Sequence, residues 1–173
     1  RQEVFDQLVD PECPLKPDRS LGYVWGLFEF DVYKCKTDGS GLVRLTNEKG
    51  YDAEAAVSPD GKEIVFTSGR DGDLELYKMN IDGSNVTRLT HTVGYDGGPF
   101  FSPDGKHIIY RAFHPKTADE FARWQTLWAN QAVSPVRLEI WIMDTDGNNQ
   151  RQVTNLNSAS FCPYVHPSGE WVM

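Results

Sequence analysis

The sequence predicts an all-β fold of repeated four-stranded antiparallel units, and three recurring markers predict it. Val57-Ser58-Pro59-Asp60-Gly61-Lys62 returns as Phe101-Ser102-Pro103-Asp104-Gly105-Lys106, with a weaker echo at Val165-His166-Pro167-Ser168-Gly169-Glu170. Thr37-Asp38-Gly39-Ser40 returns as Ile81-Asp82-Gly83-Ser84-Asn85 and as Thr145-Asp146-Gly147-Asn148-Asn149. Arg44-Leu45-Thr46 returns as Arg88-Leu89-Thr90 and Gln152-Val153-Thr154. From Ser58 to Ser102 the step is 44 residues, from Ser102 to His166 it is 64, and the other two markers keep that schedule. Repeats of roughly 40–50 residues belong to propeller blades or solenoids.

Within one repeat, each strand can be justified in turn. Glu54–Ser58 leads into Pro59-Asp60-Gly61, where proline presets φ and Asp-Gly supplies a local acceptor and a residue tolerant of positive φ. Ile64-Val65-Phe66-Thr67 is β-branched and aromatic, suited to a pleated surface. Arg70-Asp71-Gly72-Asp73 turns the chain again, and Leu74–Met79 alternates apolar and polar residues as a half-buried strand does. Asp82-Gly83-Ser84 makes a third turn, and Val86–Thr90 closes the unit. Four short strands separated by turn signals every ten residues or so favour a β-propeller blade over a helical solenoid.

The order Ser-Pro-Asp-Gly-Lys, strand, Ser-x-Arg-Asp-Gly, strand, Asp-Gly-Ser-Asn, Leu-Thr resembles the TolB-type β-propeller repeat. The clearest copy here is Ser58–Lys62, Ser68–Gly72, Ile81–Asn85 and Leu89–Thr90; the next keeps Ser102–Lys106, Asp146–Asn148 and Val153–Thr154, with an insertion in place of the Ser-x-Arg-Asp-Gly turn. The resemblance covers about residues 27 to 173. It implies a periplasmic or secreted protein, and either a scaffold or a gating domain attached to a peptidase.

The organisation that follows is an extended, proline-containing lead over 1–20 and a partial propeller over 21–173. Blade boundaries fall near 21–47, 51–90, 95–154 and 159–173. The first piece supplies strands three and four of a blade, and the last supplies a first strand and the start of a second. Two whole blades lie between them, so the total is three blades' worth of strands. A ring needs at least four blades, so the remaining ones are expected from a longer chain or from a second copy.

Composition narrows the function classes. The 173 residues carry a net charge of −8 and 12% aromatics. That acidity, without a basic run, excludes nucleic acid as a partner. No apolar stretch reaches the roughly 18 residues of a membrane helix, so no membrane insertion is expected. Three cysteines match no zinc spacing. Cys162, between Phe161 and Pro163, reads as a buried structural thiol, and a Cys13–Cys35 disulfide is open to an oxidising compartment. His91, His107, His114 and His166 form no His-x-x-x-His pair, and the chain has no Gly-x-Ser-x-Gly elbow or phosphate loop. Asp144-x-Asp146-Gly147 fits a hairpin turn better than a calcium loop, since its glycine comes too early. No metal, cofactor or catalytic residue is therefore assigned.

Two features depart from plain scaffolding. Residues 112–137 account for the longer second step and sit between strands two and three of their blade. Thr117-Ala118-Asp119-Glu120 is a capping box, and Phe121, Trp124 and Trp128, with Leu127 beside them, make one apolar stripe on a helix. That stripe either packs on its own blade or docks a partner. Second, Gly50-Tyr51-Asp52-Ala53-Glu54 and Gly94-Tyr95-Asp96-Gly97-Gly98 are near copies, with Asn157-Ser158-Ala159-Ser160 as the third equivalent. First strands line a propeller's channel, so Tyr51, Asp52, Glu54, Tyr95 and Asp96 ring its mouth. Either they make an acidic, cation-attracting rim, or each Asp caps its loop while the tyrosines pack between blades.

The function expected is a non-enzymatic protein- or peptide-binding scaffold of the cell envelope. The alternative is the propeller domain of an exported peptidase or hydrolase whose catalytic domain lies elsewhere.

Overall fold

The structure, a computed structural model, describes residues 19–173; the lead up to residue 18, with Cys13, lies outside the described residues. A 3-10 turn at Arg19–Leu21 is followed by β1 (Trp25–Gly26), β2 (Tyr33–Lys34), β3 (Val43–Arg44), β4 (Asp52–Val57), β5 (Glu63–Ser68), β6 (Glu75–Asn80) and β7 (Thr87–Arg88). Then come β8 (Tyr95–Phe101), β9 (His107–Phe113), helix α1 (Ala118–Ala129), β10 (Ala132–Val133), β11 (Glu139–Asp144) and β12 (Arg151–Gln152).

Two sheets are complete antiparallel blades, β4-β5-β6-β7 and β8-β9-β11-β12, while β2-β3 is the outer half of a third. At the other end only an isolated bridge, Val165 to Val172, forms across the Pro167-Ser168-Gly169 turn. The protein is a partial propeller.

The blades stack face to face, which explains their strand sequences. β5 is sandwiched, so its residues are buried on both faces and it reads as a nearly continuous apolar run. Ile64 and Phe66 pack with Val32, Tyr77 and Met79 against the half-blade. Val65 packs the other way, with Leu76, Leu89, Ile108, Tyr110 and Met143 of the next joint. Ile109 and Ile140 turn to the far side and meet Val165.

The Arg-Leu-Thr marker clamps the fourth strand. The Thr46, Thr90 and Thr154 hydroxyls accept the backbone N–H groups of Val32, Leu76 and Ile140 at 2.9, 2.9 and 2.8 Å. Arg44 and Arg88 reach the acids Asp31 and Glu75 at 2.5 and 2.7 Å, while Gln152 keeps only the bond to its own threonine carbonyl. The Asp-Gly turns then lock onto the preceding blade. Gly83 and Gly147 sit at φ +89° and +87°, and a Cβ there would lie 2.9 and 2.8 Å from the carbonyls of Leu45 and Leu89.

Two results differ from the sequence expectation. Residues 21–27 do not extend the first half-blade: β1 pairs with β10 inside the insertion, Trp25 opposite Val133. Cys162 is exposed rather than buried, because among the described residues only the isolated bridge of Val165 to Val172 forms beyond it, and no blade packs over the position as the next blade does over its repeat equivalent Glu54. Cys35 is also exposed.

Candidate functional site

The inner ends of the blades are joined by a repeated backbone bond. Asp52, Asp96 and Ser160 donate their N–H groups to the carbonyls of Phe30, Leu74 and Leu138 at 3.0, 3.0 and 2.9 Å. This fixes where the Tyr-Asp loops stand. Asp52 and Asp96 are buried, 2% and 0% exposed, so each carboxylate requires partners. Asp52 accepts from the Ser68 hydroxyl at 2.5 Å and pairs with Arg70 at 2.9 Å. Asp96 meets His114 Nε2 at 2.9 Å. Burial pushes the Asp96 carboxyl above its ordinary range, against the pull of His114.

Glu54 occupies a bulge where the β4–β5 register shifts, at φ +57°. The same left-handed turn recurs at Gly98, φ +57°, and Cys162, φ +50°. From there the Glu54 side chain crosses to the next blade. It accepts from Thr67 at 3.0 Å, from Gly98 N–H at 2.9 Å and from the Tyr95 hydroxyl at 3.2 Å, and it pairs with Arg111. Gly98 allows this approach, since a Cβ would lie 2.9 Å from the Arg111 guanidinium. Arg111 is itself enclosed by the rings of Trp25, Tyr95 and Phe161, each 5.7 Å from its guanidinium carbon. Tyr95 is buried and Tyr51 half-buried. Burial raises the pKa of both phenols, with the Glu54 charge adding to the effect.

Glu54 and Tyr95 thus meet around Arg111, with Tyr51 near enough to feel both charges, while Asp52 pairs with Arg70 and Asp96 bonds His114 through one oxygen. Arg111 and His114 went unassigned in the sequence. The signal for them was positional, since they stand 44 residues after Thr67 and Arg70 in the repeat.

Helix α1 covers this end of the blades. Its capping box forms, with Glu120 N–H donating to Thr117 Oγ1 at 3.2 Å and Thr117 N–H donating to Glu120 Oε2 at 3.2 Å. Glu120 also pairs with Arg137 at 2.7 Å, tying the helix start to the approach to β11. Trp124, 6% exposed, packs with Leu74, Tyr95, Val133 and Leu138. Trp128 stacks on it at 6.3 Å and reaches Gly69. Phe121 is 41% exposed. A groove of about 250 Å³ runs along the helix, with Phe113, Trp124, Leu127 and Val136 as its apolar lining and Arg123, Arg137, Asp119 and Glu120 at its polar edge. Among the described residues no group of His, Cys, Asp and Glu is arranged to hold a metal ion, and no helix is long and apolar enough to cross a membrane.

Stacked four-stranded blades joined at their inner strands define the β-propeller class. The chain belongs to the TolB beta propeller domain family, whose model matches residues 28–127. It is similar to the structure of putative TolB from Agrobacterium tumefaciens, with a TM-score of 0.65 and 26% identity over 82% of this chain and 48% of that one. TolB from Acinetobacter baumannii shares the fold at TM-score 0.62 and 21% identity, over 82% of this chain and 31% of that one. A structure from a study of two prolyl endopeptidases shares it at TM-score 0.50 and 14% identity, over 83% of this chain and 22% of that one. The chain therefore spans less than half of either TolB structure. No curated protein matches it.

Proposed function

We propose that this chain is part of a non-enzymatic, TolB-like propeller of the cell envelope, periplasmic or secreted, that binds proteins or peptides. One contrast carries the reading. Asp52 and Glu54 are ion-paired internally and Asp96 is buried against His114, whereas the inserted helical segment leaves an apolar-floored groove and an exposed Phe121 on the surface. A groove with an apolar floor and a mixed-charge rim suits peptide recognition.

The test compares recovery of envelope proteins on the immobilised wild-type chain, on Phe121→Asp with Val136→Asp, and on Val153→Asp as a control elsewhere on the surface. The reading expects one recovered protein to be lost at least tenfold in the first variant and retained in the control. Equal recovery on all three overturns the groove assignment. The second reading, a propeller domain of an exported peptidase, is supported by the fold shared with prolyl endopeptidases. It expects peptide hydrolysis by the full-length protein, abolished by an active-site-directed inhibitor.

A further inference from the structure

The joint between the two complete blades contains three buried polar atoms with no protein partner: Glu75 Oε2, Asp96 Oδ2 and the Tyr110 hydroxyl. Each of these residues is 0% exposed. They come from β6, β8 and β9. The parallel bridge of Leu74 to Tyr95 sets Glu75 beside Asp96. Asp96 stands opposite Ala112, two residues along from Tyr110. The charges of Glu75 and Asp96 both act on Tyr110, and the Thr90 hydroxyl stands beside both carboxyls.

The preceding joint is an internal control. Asp31, Asp52 and Phe66 stand 44 residues before Glu75, Asp96 and Tyr110, and there every carboxylate oxygen has a protein partner. Asp31 takes Thr46 at 3.2 Å and Arg44 at 2.5 Å; Asp52 takes Ser68 at 2.5 Å and Arg70 at 2.9 Å. Four replacements open the second joint: Glu75, one methylene longer, stands where Asp31 does and gives only Oε1 to Arg88. Ala112 stands where Ser68 does and lacks its hydroxyl. His114 stands where Arg70 does and reaches only Oδ1 of Asp96. Tyr110 stands where Phe66 does and adds a hydroxyl.

The unmet groups are thus two carboxylate oxygens needing donors and one phenol needing an acceptor. Buried polar atoms are almost always bonded, and a buried water makes about three bonds. We propose that a single ordered water bridges the two blades here, donating to Glu75 Oε2 and Asp96 Oδ2 and accepting from the Tyr110 hydroxyl. A cation would leave the Tyr110 O–H without an acceptor. So would a proton shared directly between the two carboxyls.

A high-resolution crystal structure of the chain tests this, alongside water-relaxation dispersion in solution on wild type, Tyr110→Phe and Ala112→Ser. The expected result is one solvent peak within hydrogen-bond distance of all three atoms, about 2.6–3.2 Å. One long-lived water should also be lost in Tyr110→Phe, which removes one of its three bonds and restores the phenylalanine of the first joint at this position. If that variant does not fold, Ala112→Ser serves in its place, since its hydroxyl would take the Asp96 position held by the water. A peak touching fewer than three of the atoms, a metal's anomalous signal at the site, or an unchanged count of long-lived waters overturns the proposal.

Discussion

Asp96 meets His114 at 2.9 Å in the second complete blade, in the position where Asp52 meets Arg70 at 2.9 Å in the first. In both pairs the partners lie 18 residues apart. The relation is inherited from the repeat, while the chemistry is not. Arg70 is always charged, also takes the Ser68 hydroxyl, and covers the rings of Phe66 and Tyr77 at 5.3 and 4.9 Å. His114 offers one nitrogen to Asp96 and an edge contact to Trp141 at 4.9 Å.

Removing the two partners should therefore have unequal effects. Arg70→Ala leaves a buried, charged Asp52 and is expected to destabilise by roughly 3–5 kcal/mol. His114→Ala removes a hydrogen bond from a carboxyl already pushed toward its neutral form, for roughly 1–3 kcal/mol. Guanidinium unfolding midpoints at constant m-value measure both. Equal losses would show that the two pairs do the same electrostatic work.

The fold was legible because turn chemistry is local. Ser58-Pro59-Asp60-Gly61 and Asp82-Gly83-Ser84 close their hairpins with bonds inside a few residues, as in Ser58 Oγ to Asp60 at 2.7 Å and Ser84 N–H to Asp82 at 2.9 Å. The helix was legible for the same reason, through Thr117 and Glu120. What the pattern could not reveal were partners supplied by another blade. Glu54 looked like a free rim acid until Arg111 and Tyr95 of the next blade came within reach. The β1–β10 pairing joins two-residue strands with no periodicity of their own, far apart in the chain. Alternation along an inner strand places Cys162 inward, but it does not reveal whether a neighbouring blade covers the position.

Acidity should stabilise the central joint. Burial pushes the Glu75 carboxyl from 4.5 up to about 7 and the Asp73 carboxyl from 3.8 up to about 6, and it raises Asp96 as well. Between the unfolded and folded values the native chain binds more protons than the unfolded one, so this contribution falls as pH rises through that window. The expected observation is a stability difference between wild type and Glu75→Gln that declines from about pH 4.5 to about 7, by at most about 1.4 kcal/mol per pH unit. Arg88 retains an acceptor in the variant, which keeps its own bond intact. A difference that stays flat across that range refutes the assignment.

The Asp-Gly turns separate backbone strain from steric conflict between blades. Gly39, Gly83 and Gly147 share a left-handed φ, at +83°, +89° and +87°. A Cβ added at Gly39 would meet no atom within 4 Å, whereas one at Gly83 or Gly147 would press on the Leu45 or Leu89 carbonyl. Gly39→Ala is expected to cost about 1 kcal/mol, the usual left-handed penalty. Gly83→Ala and Gly147→Ala should lose more, about 2–4 kcal/mol, as the blades are forced apart. Thermal melts of the three single variants decide the matter: three similar shifts would mean that the turns do not lock the blades together.

The helix face offers the clearest division between structure and binding. Trp124 fills the space above Leu74, Tyr95 and Leu138 and is 6% exposed, while Phe121, one turn earlier, is 41% exposed. Trp124→Ala leaves a cavity under α1 and is expected to destabilise by roughly 3–5 kcal/mol. Because the helix hangs between β9 and β11 through Glu120 and Arg137, the loss should also open residues 114–131 to protease before the blades unfold. Phe121→Ala should change stability by no more than about 0.5 kcal/mol, as surface substitutions usually do. It can therefore be tested for partner binding without a folding artefact. Limited proteolysis with mass mapping reads the first effect, and thermal melting reads both. If Trp124→Ala melts with the wild type and resists cleavage in that segment, α1 does not rest on its blade through this residue, and the groove beside it loses its floor.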